Sequence, residues 1–359
     1  MTFKYDYLFD VTMKILGKMG CPQQDAEVIT DVLLKGELRA ISSHGLLRIK
    51  TYYDLWQKGR INSTPDLKIV HETPSTAVID GDRAFGMVAA KKSMDLAIEK
   101  ARVCGSGWVA TRNSNHFGIA GYYSMLALEH DMIGITMTNA NASVAPTFSL
   151  ERMLGTNPIA FAVPAGKNPP FVADFATTPV ARGKIDIREK KGEKIPFGYI
   201  QDKDGNPTDN PSDLRLGGAI LPLGGTRELG SNKGYCLGSI VDILSGVMSG
   251  AGFGPFVPAL AAYLENDREK VGEGTGHFFG AIRIDGFMPA DEFRTRMDKW
   301  METFRSSRPS EGNERVLIPG DPEREAEERL MREGIELVPQ VAEEFKGVAD
   351  ELGVDFRIG

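Results

Sequence analysis

Two histidines stand in short polar, glycine-flanked loops that a packed core has no use for: Ser42-Ser43-His44-Gly45-Leu46-Leu47-Arg48 and Asn113-Ser114-Asn115-His116-Phe117-Gly118. Imidazole is the side chain suited to moving a proton near neutral pH. The first histidine has an arginine four residues on. If a helix runs from Gly45 to Tyr53, His44 and Arg48 project from one face. A guanidinium grips a carboxylate through paired hydrogen bonds, and an imidazole beside it can move the proton. A site for a carboxylated alcohol or carbonyl compound needs that pairing. The alternative is a helix start capped by Ser42 or Ser43, with Arg48 as a surface charge.

Other short segments carry weaker signals. His116 follows an expected strand and precedes Gly118 and a helix, and strand ends in α/β folds are where ligands bind. The alternative is a histidine that caps that helix. In Leu154-Gly155-Thr156-Asn157-Pro158, Thr156 and Asn157 either hydrogen-bond a substrate or close an Asx or ST turn. Asp174 ends an apolar strand and either orients a cofactor or caps the next element. Gly224-Gly225 through Gly230-Ser231-Asn232-Lys233-Gly234 leads into a helix start, where N–H groups and a lysine suit a phosphate. The order of a P-loop is absent, and a long capped loop is the alternative.

These residues need elements to hold them. Leu8, Val11, Ile15, Leu16 and Met19 keep helical spacing up to Gly20. A second helix starts at Pro22, with Ala26, Ile29, Val32 and Leu33 inward, and a third ends near Gly59. Strands are expected over 76–80, 107–111, 133–138, 158–163, 171–174 and 278–284, with helices over 87–103, 119–129, 233–248 and 290–304. The stretch 183–230 is rich in turn residues and reads as a long excursion over the surface or near the site. From Pro322 the tail forms two acidic amphipathic helices. Strands alternating with helices argue an α/β fold with a mixed sheet. The clusters Gly250-Ala-Gly252-Phe-Gly254 and Gly272-Glu-Gly274-Thr-Gly276 do not sit between a strand and a helix, which argues against a Rossmann unit.

Composition narrows the class. A chain of 359 residues, 42% hydrophobic and 25% charged, can bury a large core. A net charge of −7 with no basic stripe argues against nucleic acid as a partner. Cys21, Cys104 and Cys236 are far apart, which fits a reducing cytoplasm without disulfides. Neither a signal peptide nor a membrane span is expected. His71, His130 and His277 have no mutual spacing that suggests a metal, and the His-Glu-x-x-His and Gly-x-Ser-x-Gly patterns are missing.

Assembled, these stretches resemble the type-2 malate/L-lactate dehydrogenase family, which is sulfolactate dehydrogenase-like and includes ureidoglycolate and diketogulonate oxidoreductases. The segments that carry the resemblance are Ser42-Ser-His-Gly with Arg48, Asn115-His-Phe-Gly118, Leu154-Gly-Thr-Asn-Pro158, Val172-Ala-Asp174, Ala181-Arg-Gly-Lys184, Asp202-Lys-Asp-Gly-Asn-Pro207 and Lys233-Gly-Tyr235. The resemblance implies a nicotinamide-dependent enzyme with a non-Rossmann mixed-sheet cofactor domain. It implies a helical segment over residues 1–70 that packs with the C-terminal part, a central α/β region over 71–290, C-terminal helices over 291–359, and a homodimer. It also implies that His116 or His44 is the acid/base and that Arg48 and Thr156 contact substrate; Asn157 and Lys184 are taken as substrate-side candidates from the same segments. Asp174, Phe175, Ala176, Lys233 and the turn Gly312-Asn313-Glu314 match cofactor-contacting positions. Lys184 stands where some members carry a carboxylate that assists the histidine, with Asp186 the nearest substitute. Ala140 stands where a relative has a serine.

The reading is reversible hydride transfer between NAD, or NADP, and a small 2-hydroxy/2-oxo acid, without a metal. One rival is a reductase of a cyclic imino acid or keto sugar acid, or a ureidoglycolate dehydrogenase, on the same scaffold. Others are a non-catalytic ligand-binding relative and a metal-dependent hydrolase, the last lacking acidic ligands at a recognisable spacing.

Overall fold

A computed structural model describes residues 1–262 and 269–358. The chain opens with strand β1 (Thr2–Phe3) and helix α1 (Tyr5–Lys18), which buries Leu8, Val11, Ile15 and Leu16 at helical spacing. Helix α2 (Gln23–Leu38) follows Pro22 directly and buries Ala26, Ile29 and Leu33. A single 3₁₀ turn, Ser42–His44, precedes α3 (Arg48–Gln57). Then come β2 (Lys68–Glu72), β3 (Thr76–Asp80), α4 (Gly86–Cys104), β4 (Ser106–Ser114), α5 (Ala120–Leu126), β5 (Met132–Thr138), β6 (Ile159–Val163) and β7 (Phe171–Phe175).

The excursion that follows carries α6 (Arg182–Lys190), β8 (Ile200–Gln201), β9 (Pro207–Thr208), α7 (Ser212–Arg215) and β10 (Ala219–Ile220). It is not irregular: β10, β8 and β9 form a small sheet, and Val180, Ile185, Ile200, Leu214 and Ile220 share a separate core with Val144 and Leu154. Helix α8 (Ser231–Asp242) continues into a π-helical turn, Ile243–Val247. The rest is β11 (Thr275–Arg283), α9 (Ala290–Arg305), α10 (Asp321–Glu333), β12 (Ile335–Glu336) and α11 (Pro339–Glu351).

Seven strands form the main sheet in the order β2-β3-β4-β11-β5-β6-β7. Only β3 and β4 run parallel among the described residues; every other neighbouring pair is antiparallel. This is an α/β fold with a mixed sheet and, among the described residues, no doubly wound nucleotide unit, in line with the glycine spacing. The late strand β11 inserts between β4 and β5 and so brings the ends of three strands together. The chain ends meet as well. Thr2 and Phe3 pair with Glu336 and Ile335, and Phe3, Leu8, Ile15 and Tyr52 share one core with Met87, Phe345 and Phe356.

Two local expectations are corrected. Helix α3 begins at Arg48, not at Gly45, because Gly45 (φ −95°, ψ −143°) breaks the chain out of helical geometry after His44. His44 and Arg48 are therefore not an i,i+4 pair on one helix. Strand β2 was not expected; all five of its residues are exposed, so it lacks the apolar alternation that reveals a strand.

Candidate active site

His116 leaves the end of β4 on a loop that Asn115 pins. The Asn115 amide donates to the backbone carbonyls of Ala84 at 2.9 Å, Arg83 at 3.0 Å and Arg60 at 3.4 Å. The His116 ring is fixed from α3: the Tyr52 hydroxyl lies 2.7 Å from Nδ1. The Gly118 N–H donates to the same nitrogen at 3.3 Å. With Nδ1 accepting, the neutral ring carries its proton on Nε2, which has no partner among the described residues.

His44 is positioned by a buried acid. Glu37 Oε1 on α2 accepts the Leu46 N–H at 2.7 Å, and a Cβ on Gly45 would fall 2.2 Å from that oxygen. Only glycine permits so close an approach, so Glu37 and Gly45 together set the loop. Ser43 Oγ sits 2.9 Å from His44 Nδ1. The two imidazoles then stack, with ring centroids 5.3 Å apart and planes at 24°. The Arg48 Nε donates to the Ser43 carbonyl at 2.8 Å, which turns the guanidinium back toward the loop; its two terminal nitrogens have no protein partner among the described residues.

Both histidines border a cleft of about 70 Å³ whose lining also includes Arg60, Asn115, Thr138, Ala140, Thr156 and Pro158. Burial, then the Arg48 charge, lowers His44 to about 4. Burial, then His44, Arg48 and His277, hold His116 well below the ordinary histidine range. In the free protein at pH 7 both rings are neutral, and their stacking disfavours charging the two together.

Behind the cleft lies a buried polar layer. His277 on β11 is fully buried and joins Thr138 Oγ1 (2.7 Å from Nδ1) to Ser114 Oγ (2.9 Å from Nε2), with its ring stacked on Phe117. Burial lowers it to about 3, so it stays neutral. Asn139 donates to Asp242 Oδ1 at 3.1 Å and accepts the Gly276 N–H at 3.0 Å. A Cβ on Gly276 would lie 1.9 Å from the Ser245 carbonyl. The two glycine clusters thus serve close packing behind the site, and Gly252 N–H bonds the Gly274 carbonyl directly.

The candidates read from sequence divide into groups. His44, His116 and Thr156 line the cleft. Asn157 is wholly buried beneath it, with Oδ1 accepting the Ala140 N–H at 3.0 Å and Nδ2 donating to the Gly238 carbonyl at 3.0 Å. Its side chain shapes the wall. Asp174 and Phe175 end β7, and Ala176 follows them, next to that wall, since the Thr177 N–H bonds the Thr156 carbonyl at 2.9 Å. Asp174 Oδ2 accepts the Gly121 N–H at 2.7 Å. The carboxyl is crowded by protein although the residue keeps an exposed edge, and this crowding lifts it to about 6 against the pull of Gly121 and Arg39.

Lys233 is exposed in the first turn of α8, outside the lining of the cleft, and makes no ion pair among the described residues. Lys184 is exposed on α6, and Asp186 faces Arg182 at 3.9 Å; neither borders the cleft. Gly312, Asn313 and Glu314 form an exposed turn apart from it. Sequence reasoning missed Glu37, Tyr52, Arg60 and His277. An acid inside an apolar helix pattern, as at Glu37, was the one signal that pointed to any of them.

Comparison with known proteins gives the same class. The family model described as malate/L-lactate dehydrogenase matches residues 3–346. The malate dehydrogenase of Pyrococcus abyssi is 44% identical over 350 residues, 97% of this chain and 94% of that protein. The structure of sulfolactate dehydrogenase from Methanocaldococcus jannaschii is similar at a TM-score of 0.90 and 41% identity, over 99% of this chain and 98% of that one. Malate dehydrogenase from Entamoeba histolytica is similar at a TM-score of 0.93 and 34% identity, over 100% and 99% of the two chains. The chain belongs to the malate/L-lactate dehydrogenase family. It is a hydroxyacid dehydrogenase acting on CH–OH donors. Among the described residues, no helix is long and apolar enough to cross a membrane.

Proposed function

We propose that the protein interconverts a small 2-hydroxy acid and its 2-oxo acid, of the malate, lactate or sulfolactate type, with NAD as cofactor and NADP as the alternative. The observation that carries this reading is the His116 ring, held through Nδ1 by Tyr52 and left with a free Nε2 at the cleft. Arg48 offers two unpartnered guanidinium nitrogens beside His44, and these suit a substrate carboxylate.

The residues present fit a nicotinamide. Ala140 and Pro158 give the cleft apolar wall suited to a flat ring, and the hydroxyl of Thr156 is at hand for a polar edge. Asp174 to Ala176 adjoin this wall and would hold the cofactor further out, with Lys233 as a cation for phosphate. When bound, the nicotinamide supplies or takes up the hydride. The protein's part is to hold the carboxylate on Arg48 and to meet the substrate oxygen with His116. In reduction a protonated His116 gives its Nε2 proton to the carbonyl oxygen, and Tyr52, able to accept as well as donate, keeps the ring in place. Oxidation runs the same transfer backward. A bound carboxylate raises the pKa of both rings, so the substrate itself favours the protonated form. His44 stacks on His116 as its partner.

Ile240, Ile243, Val247 and Met248 form an exposed apolar run on α8 and its π-turn, which supports a homodimer; light scattering tests it. The function is tested by absorbance at 340 nm with NADH and NADPH against oxaloacetate, pyruvate, sulfopyruvate and a cyclic imino acid. Turnover of a 2-oxo acid is expected. Turnover of the imino acid alone would move the substrate class, and silence without cofactor binding would overturn the reading.

A further inference from the structure

The proposed reaction uses one guanidinium, that of Arg48, which stands beside His44 and outside the lining of the cleft; the arginine that borders the cleft itself is Arg60. Arg60 stands just past α3 and shares the lining with His44 and His116. Its Nη2 donates to the Ala259 carbonyl at 2.6 Å and its Nη1 to the Ala261 carbonyl at 3.3 Å. These bonds orient the side chain without neutralising it. No carboxylate pairs with Arg60 among the described residues, and burial lowers its pKa. A half-buried cation whose partners among the described residues are backbone carbonyls keeps its charge available to an anion.

The surroundings point the same way. A second hollow of about 450 Å³ shares Arg60, Asn115 and Pro258 with the cleft and adds Arg83 and Lys270 to its lining. Among the described residues Glu273 is the one acid there, and it lies 3.4 Å from Lys270. Three cations and one carboxylate of the described residues thus line the hollow beside the cleft, which favours approach of anions.

We propose that Arg60 is a specificity-determining residue that holds the second acidic group of a substrate charged at both ends, a dicarboxylate or a sulfocarboxylate. This rests on the reading of the site as a 2-oxo acid dehydrogenase, with Arg48 holding the first carboxylate. Arg83 and Lys270 draw the dianion in, and Arg60 receives its far end.

The test compares oxaloacetate with pyruvate, which differ by the second carboxylate, in the wild type, Arg60→Gln and Arg60→Lys. Pyruvate is measured as a substrate or, where turnover is too slow, as a competitive inhibitor. Arg60→Gln is expected to lower kcat/KM for oxaloacetate about 10- to 100-fold, mainly through KM, with little change for pyruvate. Arg60→Lys keeps the charge and should recover part of the loss. Added salt should weaken oxaloacetate more than pyruvate in the wild type. Equal losses for both acids in a folded variant, or no loss, would overturn the proposal. If Arg60→Gln does not fold, the Arg60→Lys ratio and the salt response decide. Where sulfopyruvate replaces oxaloacetate as the substrate turned over, the same comparison with pyruvate applies; a wild type that uses none of the three acids defeats the underlying reading instead, which separates the two failures.

Discussion

The hydroxyl of Tyr52 lies 2.7 Å from His116 Nδ1, so a helix near the N-terminus decides which nitrogen of a histidine after β4 is free for chemistry. Tyr52 is almost wholly buried, and burial pushes its phenol above the ordinary tyrosine range. It remains a neutral hydroxyl at working pH and acts on the ring as a hydrogen-bond partner.

Tyr52→Phe removes that bond and leaves the ring volume in place. With about 1 kcal/mol at stake, kcat should fall about 5- to 10-fold while cofactor affinity holds. The pH profile of kcat should shift, because the protonation balance of His116 depends on its Nδ1 partner. A fluorescence titration with NADH and a kcat–pH series check both points. An unchanged profile would remove Tyr52 from the proton path.

Arg48→Lys keeps a charge and loses the planar fork. Lysine cannot reproduce both the bond to the Ser43 carbonyl and a paired grip on a carboxylate. KM for a 2-oxo acid should rise about tenfold or more, with a smaller change in cofactor affinity. Steady-state kinetics with NADH held saturating measure it.

Lys233→Ala should weaken cofactor binding more than substrate binding. The lysine is exposed in the first turn of α8 and makes no ion pair among the described residues, so its loss leaves the fold undisturbed. The Kd for NADH and the KM for substrate, measured side by side, read the split, and the reverse pattern would contradict the assignment.

Acid should destabilise the fold through its buried histidines. His44 at about 4 and His277 at about 3 lie below the value of about 6.5 expected in an unfolded chain. Between those limits the unfolded chain binds more protons, so stability falls as pH drops below about 6.5. Asp174, raised to about 6, acts with the opposite sign: its folded form holds a proton longer, and it costs stability as pH rises through 6. A variant isolates the histidine contribution. His277→Gln should show a shallower loss of Tm between pH 6.5 and 5 than the wild type. Equal slopes would mean that His277 does not contribute.

Much of the scaffold could be read from spacing. Leu8, Val11, Ile15 and Leu16 marked α1 because one apolar face of a helix is all that burying them required. The two histidine loops stood out because polar, glycine-flanked histidines have no packing role. The rest escaped for physical reasons. Tyr52 sits at core spacing between Ile49 and Tyr53, and nothing local tells a packing ring from one that holds a histidine. His277 lies in a strand whose neighbours are apolar, and its partners Thr138 and Ser114 are remote in sequence. Arg60 follows a helix end and reads as surface charge; only tertiary structure turns it into the cleft. His44 and Arg48 do come together, but through a 3₁₀ turn and a side chain that folds back, where helical periodicity implied a shared face.

The pairing of Thr2–Phe3 with Ile335–Glu336, and the bond of 2.8 Å from the Tyr53 hydroxyl to Glu351, have a consequence for synthesis. The helix that carries Tyr52 and Arg48 is made well before α11, whose Glu351 braces it through Tyr53. Until α11 is made, α3 therefore lacks this support, and contacts this remote in sequence form slowly. A nascent chain stalled before α11 would already hold both histidines and still lack the Glu351 contact to the helix that carries Tyr52.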